Sequence, residues 1–285
     1  MVLSPRRPMR GHILSIACAA ALLGAGGERA CGQQRFEASY RATLAGLPVG
    51  SGSVVLDIAG DRYAMEASGQ AMGLMRMFAS GSGEATARGA ISGGKFLPAS
   101  YALNIRTRNK IQEVKMALVG GAVQRLVLEP PFEPSTDHAP LTEAHKRGVL
   151  DPLSASIVAG AGPNGLAPEA CQRRMPVFDG RMRFDLTLAY KRIETVRTAQ
   201  GYEGPAIVCA VTFTPIGGHE KEKFAIKFLR ENRDMEIWFA PIAGTPFLAV
   251  YRIAVPTMLG PAVLQATRFV AGRTTQTGAA GARTQ

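Results

Sequence analysis

Several patterns that mark familiar enzyme classes are missing from this 285-residue chain. It has no Gly-x-Ser-x-Gly motif, which argues against a serine hydrolase of the α/β type. Beyond residue 32 it has three histidines, His138, His145 and His219, and no two are spaced to lie together as ligands on one helix or strand. The sequence therefore predicts no metal, no cofactor and no catalytic residues.

Two glycine-rich segments have nucleotide-binding spacings but lack the required surroundings. Gly89–Lys95 matches a phosphate loop, yet Phe96 stands where a Ser or Thr would bind magnesium. Gly160–Gly165 matches a dinucleotide-binding turn, but it contains Pro163 and no parallel βαβ pattern surrounds it. We expect no bound nucleotide.

The first 32 residues have the three zones of a secretory signal peptide. Arginines begin it, an apolar run of eleven residues (Ile13–Leu23) follows, and small residues end it at Gly24–Gly32. Because a bilayer span needs roughly 18 apolar residues, a cleaved signal is favoured over an anchor. Residues 1–32 therefore predict a periplasmic protein of the bacterial cell envelope.

The net charge is +11, and removal of four arginines and one glutamate with the signal leaves +8. Outside the cytoplasm a basic surface meets few nucleic acids, so none is expected as a partner. A basic surface in that location does meet anionic lipid head groups and polysaccharides, and this favours peripheral contact of the protein with the membrane. Solubility alone also accounts for such a charge.

Cys171 and Cys209 are the two cysteines that lie beyond the signal peptide. An even pair in an oxidising compartment predicts a disulfide that closes a loop of 38 residues. Two buried free thiols are the alternative.

Short runs of alternating apolar and polar residues, separated by glycine-rich turns, dominate the chain and predict an all-β, mainly antiparallel fold. Residues 33–270 are predicted to form a single β-rich domain, and residues 271–285 a disordered tail. Two β halves flank a linker at 130–170, which has one or two short helices. Asp151 is expected to cap the helix Leu153–Ala159. The predicted strands are Phe36–Thr43, Ser51–Ile58, Tyr63–Gln70, Gly83–Ile91, Ala99–Arg106, Lys110–Leu118, Val123–Glu129, Val177–Phe178, Arg181–Lys191, Ala206–Thr214, Lys223–Arg230, Met235–Phe239, Pro246–Val255 and Val263–Val270.

Two details sharpen this prediction. The Asp179-Gly180 pair indicates a two-residue hairpin turn before the second-half strand at Arg181–Lys191. The run Phe247–Tyr251 is apolar on both faces, so part of the sheet is covered on both sides or curls around a cavity. We expect a curved meander sheet that forms an open barrel or β-spiral.

Two groups of residues are candidates for ligand contact. The first is the soft apolar cluster Met72, Met75, Met77 and Phe78, in a predicted short helix or flap, which would line or gate a groove or plug a barrel end. The second is a set of cations on extended segments, which would contact lipid phosphates or form the solvated face of a sheet: Arg106, Arg108, Lys110, Arg181 and Arg183.

The chain resembles a bacterial family of exported proteins known as domain-of-unknown-function family 3108. The resemblance rests on short segments in a fixed order: Phe36–Tyr40 followed by Gly46–Gly50, then Asp151–Ser154, then Cys171 with Val177–Arg181, and then Cys209. It implies a periplasmic β-rich domain and supplies no activity. In general plan the sequence is also similar to envelope proteins that fold as an open β-barrel around an apolar groove.

These observations predict a non-enzymatic envelope protein that binds a lipid, an acyl chain or an apolar peptide in a β-lined groove. The first alternative is a structural or interaction protein with no internal ligand. The second is an enzyme that modifies envelope polymer, which would need one of the three histidines beside a carboxylate.

Overall fold

The computed structural model describes residues 33–73, 81–133 and 135–274, and the structural statements below concern these residues. They form fifteen strands and one α-helix. The strands are β1 (Gln33–Leu44), β2 (Leu47–Ala59), β3 (Arg62–Ala71), β4 (Gly81–Ser92), β5 (Lys95–Thr107), β6 (Ile111–Val119), β7 (Ala122–Glu129), β8 (Ile157–Ala159), β9 (Arg173–Phe178), β10 (Arg183–Arg197), β11 (Gln200–Gly201), β12 (Glu203–Gly217), β13 (Glu236–Pro241), β14 (Phe247–Val255) and β15 (Ala262–Thr274). The helix α1 is Phe224–Glu231.

All the strands belong to one sheet, which confirms the predicted all-β fold. Its order is β7-β6-β5-β4-β3-β2-β1-β15-β14-β13-β12-β10-β9, with β8 added to β14 and β11 to β15. Every pairing is antiparallel except that of β11 with β15. The first strand, β1, pairs with the last strand, β15, and this pairing joins the first and second halves of the chain in the middle of the sheet. The result is the curved, open meander that the sequence predicts.

Tight turns set the register of the first half. Ser92 pairs with Lys95 and Val119 with Ala122, so each of these hairpins has a two-residue loop. Both residues of each loop, Gly93-Gly94 and Gly120-Gly121, have positive φ. Glycine adopts this backbone without strain, which is why these pairs specify the hairpins.

The inner face of β1–β4 changes from bulky to small along the strands. The core is thick at the end of these strands where Phe36 lies and thin at the end where the glycines lie. At the thin end the Tyr40 hydroxyl donates to the carbonyl of Val250 at 2.6 Å and joins the first half of the sheet to the second. Successive rows of cross-strand neighbours are Phe36–Leu56–Met65–Ala87, then Ala38–Val54–Ala67–Ala85, then Tyr40–Gly52–Gly69–Gly83.

A second core covers the opposite face of the sheet in the second half of the chain. Along β14, Phe247, Ala249 and Tyr251 pack into the inner core, whereas Leu248 and Val250 pack into the second one. All five residues are buried, so the two-sided apolar run indeed marks a strand covered on both faces. The predicted disulfide between Cys171 and Cys209 forms within this second core, with 5.6 Å between the Cα atoms.

Two secondary-structure predictions were wrong. The expected helix Leu153–Ala159 is a 3₁₀ turn at Ser154–Ser156 followed by β8, because the apolar run Ile157–Ala159 adds to the edge of β14. The expected strand Lys223–Arg230 is instead helix α1. There Phe224 and Phe228, one helical turn apart, stack with 6.0 Å between ring centroids.

Several boundaries also differ from expectation. The β9–β10 hairpin has a four-residue loop, Asp179–Met182, since Phe178 pairs with Arg183. Asp179 Oδ1 accepts the backbone N–H groups of Arg181 and Met182 and closes this loop. Strand β15 continues to Thr274, so residues 271–274 are not part of a tail. The predicted signal peptide, 1–32, lies outside the described residues.

Candidate ligand groove at the seam of the sheet

The terminal strands β7 and β9 are not paired with each other in the described part of the chain, so the sheet is open along a seam. The seam is narrow. Gly180, just after β9, lies so close to Val114 that a Cβ atom would clash, and its φ of +100° also favours glycine. Across the same gap Arg181 Nη2 donates to the carbonyl of Pro130 at 2.7 Å.

A groove of about 830 Å³ lies in this seam. We call it the seam groove. Its apolar side chains come from β7 and from the segment that follows it: Leu126, Leu128, Pro131, Phe132, Ala139, Pro140 and Leu141. Its volume is in the range of about 300–1,000 Å³ that is usual for small-molecule sites, and its lining is mainly apolar, as such sites require.

The charged residues of the seam groove, Lys146 and Lys221, are both basic. Lys146 forms an ion pair with Glu143 at 2.7 Å. Lys221 Nζ donates to the carbonyl of Thr136 at 3.0 Å, and it has no carboxylate partner within 4.0 Å in the part of the chain that is described. The lining includes no acidic residue, so an anionic group at its edge would meet net positive charge.

The three histidines beyond residue 32 lie near one another around this region. His138 lines the groove, and its Nδ1 is 2.8 Å from Ser135 Oγ. The backbone N–H of Ala139 donates to the carbonyl of His219, and His145 lies against Gly217. Within residues 33–73, 81–133 and 135–274, no carboxylate side chain hydrogen-bonds to any of these histidines, and no cluster of His, Cys, Asp and Glu has a metal-binding arrangement.

The predicted methionine cluster contributes only Met72 to the described structure, because Met75, Met77 and Phe78 lie outside the described residues. Met72 is half-buried and borders a separate, polar depression of about 570 Å³ on β1–β4. Serine side chains dominate that surface; Ser53 and Ser68 are hydrogen-bonded at 2.9 Å. Met72 is therefore not in the seam groove.

The predicted cations do not form one stripe. Arg108 and Lys110 lie in the turn between β5 and β6, where Thr107 N–H donates to the carbonyl of Lys110, so they do not alternate with Arg106 along a strand. Arg183 is buried and forms an ion pair with Asp185 at 2.6 Å, so its charge is already neutralised inside the fold. Contact of the exposed members with anions stays a prediction.

A buried chain of hydrogen bonds was missed by the sequence reasoning. Tyr63 OH and Ser154 Oγ are 2.7 Å apart, and Ser154 Oγ donates to Asp151 Oδ2 at 2.5 Å. Asp151 Oδ1 accepts the N–H groups of Leu153 and Ser154, each at 3.0 Å. Asp151 does cap the turn, as expected, but it is fully buried. Burial raises the pKa of Asp151 and of Tyr63.

A second missed feature is the ion cluster around Trp238. Arg192 donates two hydrogen bonds to Glu236, at 2.8 and 2.9 Å, and these bonds hold the pKa of Glu236 down to about 2. The guanidinium groups of Arg192 and Arg252 lie over the Trp238 ring, 5.6 and 5.0 Å from its centroid. Trp238 Nε1 donates to Glu194 at 2.8 Å. The cluster stabilises the packing of side chains from β10, β13 and β14.

The fold and groove define an open, curved antiparallel β protein with an apolar groove at its seam. The family model described as protein of unknown function (DUF3108) matches residues 35–267, and the chain belongs to this family. A solved structure titled as a beta-barrel-like protein of domain of unknown function DUF1849 from Brucella abortus is similar, with a TM-score of 0.46 and 11% identity, covering 86% of this chain and 99% of that chain. A search of curated proteins found no match. Among the described residues, no helix is long and apolar enough to cross a membrane.

Proposed function

We propose that this protein is exported to the periplasm and binds a lipid, an acyl chain or an apolar peptide in the seam groove, without catalysing a reaction. The proposal depends on one observation: an apolar groove of about 830 Å³ with basic residues at its edge and no acidic residue in its lining. Such a lining matches an apolar chain with an anionic head.

Export is supported by two independent features of the chain. Residues 1–32 have the zones of a secretory signal, and the two later cysteines form a disulfide in a buried core. Structural disulfides persist mainly in oxidising compartments. The family contributes no activity, so the ligand class is argued from the groove alone.

The test measures the affinity of the secreted protein for a fluorescent fatty acid, 11-(dansylamino)undecanoic acid. We expect saturable binding that Phe132→Ser weakens about tenfold, because the half-buried Phe132 ring lines the groove. The matched control is Phe224→Ser, since Phe224 is 61% exposed on α1 and lies outside the groove. Its affinity is expected to remain within about twofold of the unmodified protein.

Other results separate the alternatives. Absence of probe binding, or equal losses for the two phenylalanine variants, would contradict the proposal and favour an interaction protein without an internal ligand. An enzyme acting on envelope polymer is the remaining candidate, and the contact between Ser135 Oγ and His138 Nδ1 is the observation that favours it. If strains that carry Ser135→Ala or His138→Gln show the phenotype of a deletion strain, while both variant proteins bind the probe with unchanged affinity, the enzyme is supported.

A further inference from the structure

A second pocket, of about 610 Å³, lies where the β4–β5 and β6–β7 hairpin turns meet β8 and β9. We call it the turn pocket. It shares no lining residue with the seam groove. Most of its wall is apolar, including Phe96, Leu97, Val149, Ile157 and Met175. Glycines of both turns line it as well, so the wall there is backbone without side chains.

Arg173 is the unusual residue of the turn pocket. Its Nη2 donates to the carbonyl of Ala159 at 2.8 Å, whereas its Nε is buried and has no hydrogen-bond partner. No carboxylate of the described residues lies within 4.0 Å of the Arg173 guanidinium. The next residue, Arg174, is well exposed and yet is paired with Asp185. Arg174, Arg183 and Asp185 lie on one face of the β9–β10 pair, whereas Arg173 lies on the other face and has no carboxylate partner there.

An uncompensated cation in this setting costs stability. A guanidinium removed from water needs an anion or a full set of acceptors to recover its lost hydration, and one backbone carbonyl supplies only a small part of that. Burial lowers the pKa of Arg173, which is the direction expected for a cation without a partner. A bound anion would satisfy the free Nε–H and neutralise the charge.

A second cation borders the same pocket. Lys95 follows the Gly93-Gly94 turn, is exposed, and has no carboxylate within 4.0 Å in the described part of the chain. The pocket thus combines two basic side chains that lack a carboxylate partner, Lys95 and Arg173, with the paired Arg174 and an apolar wall, and it has no acidic residue in its lining.

We propose that the turn pocket binds an amphipathic anion, with its carboxylate or phosphate head on Arg173 and Lys95 and its apolar part against Phe96, Ile157 and Met175. Arginine suits either head, because its planar N–H groups match two oxygens at once. This inference is independent of the seam groove, since it depends on different residues.

The test observes Arg173 directly. In arginine-labelled protein the side-chain Nε–H resonance of Arg173 is assigned by its loss in Arg173→Lys. It is then followed by NMR during titration with sodium octanoate or sodium octyl phosphate, against sodium chloride of equal ionic strength. We expect a saturable shift with at least one amphiphile and none with chloride. Whichever amphiphile binds more tightly identifies the head group. An Arg173 resonance that does not respond to either one would overturn the proposal.

Three further measurements complete the test. Arg88 is an exposed residue of β4 outside the pocket, and its resonance is expected to remain unchanged. Lys95→Ala is expected to weaken binding roughly threefold to tenfold, and unchanged affinity would refute the role of Lys95. Acetate and inorganic phosphate are expected to bind at least about tenfold more weakly than the amphiphiles, because they lack a tail to bury. If acetate and phosphate bound as tightly as the amphiphiles, the proposed role of the apolar wall would be refuted.

A variant separates this site from the proposed function. In chloride alone, Arg173→Met is expected to be at least as stable as the unmodified protein, because it removes an unpaired charge. The Arg173 signal is absent from this variant, so its response is read from the Met175 methyl resonance, which is expected not to shift with the amphiphile. The variant is expected still to bind the dansyl probe in the seam groove. Conversely, Phe132→Ser is expected to keep the Arg173 shift. Loss of the Arg173 shift in Phe132→Ser would overturn the assignment of a separate site.

Discussion

The substitution Ser154→Ala tests the buried chain of hydrogen bonds from Tyr63 to Asp151. The Ser154 side chain is 1% exposed, and its hydroxyl joins Tyr63 OH to Asp151 Oδ2. Alanine leaves both of these groups without that partner. Because each unsatisfied buried polar group costs about 1–3 kcal/mol, we expect a loss of about 2–4 kcal/mol in the free energy of unfolding. Asp151 Oδ1 keeps its N–H donors, so the turn itself is expected to form.

The loss is expected to depend on pH. The hydrogen bond from Ser154 lowers the pKa of Asp151, whereas burial raises it above the ordinary value. Removal of the hydroxyl therefore raises the pKa of Asp151 further. A carboxyl with a raised folded pKa contributes most below its unfolded pKa and loses that contribution as pH rises through the folded value. The cost of Ser154→Ala should thus be larger at neutral pH than near pH 4.

Urea unfolding of purified protein, followed by the fluorescence of Trp238, measures the free energy lost in Ser154→Ala and the change of this loss with pH. Ser156→Ala is the matched control in the same turn, because the half-buried Ser156 hydroxyl donates to the carbonyl of Leu153 and supports no carboxylate. It is expected to cost at most about 1 kcal/mol, without pH dependence. The proposed role of the hydrogen-bond chain would be refuted if both variants lost the same free energy of unfolding, or if the loss for Ser154→Ala increased as the pH falls.

Three further predictions concern stability. Replacing Cys171 and Cys209 together by alanine should cost about 4 kcal/mol, measured by urea unfolding without reductant, because the disulfide closes a loop of 38 residues; an unchanged midpoint would contradict this. Folding lowers the pKa of Glu236 from 4.5 to about 2, so its ion pair contributes about 3 kcal/mol above pH 4.5 and loses it as pH falls toward 2. Glu236→Gln should remove that acid-dependent loss in a pH series of thermal melts. Arg183→Met should lower stability by about 1–3 kcal/mol, since it removes one partner of a buried carboxylate, whereas Arg108→Met in an exposed turn should leave the melting temperature unchanged.

Local sequence signals were sufficient for most of the sheet. Alternating residues define β2 to β7, and Gly93-Gly94 and Gly120-Gly121 define two hairpins, because side-chain period and turn conformation depend on neighbouring residues alone. The same signals failed at α1. There Phe224, Ile226 and Phe228 alternate as in a strand, while Phe224 and Phe228 also share one side of a helix.

The candidate sites were determined by contacts between residues distant in the chain. The seam groove needs β7 beside the segment that follows it, and Arg173 has no carboxylate partner among the described residues because Asp185 and Arg174 lie on the other face of the β9–β10 pair. No local pattern shows which carboxylate an arginine will meet. Sequence by itself therefore determined most of the strands, the two glycine hairpins and the candidate cysteine pair, since these follow from residue type and spacing. The tertiary structure alone decided where apolar surface stays open and which cations remain without a partner, because both depend on how the curved sheet brings its two ends together.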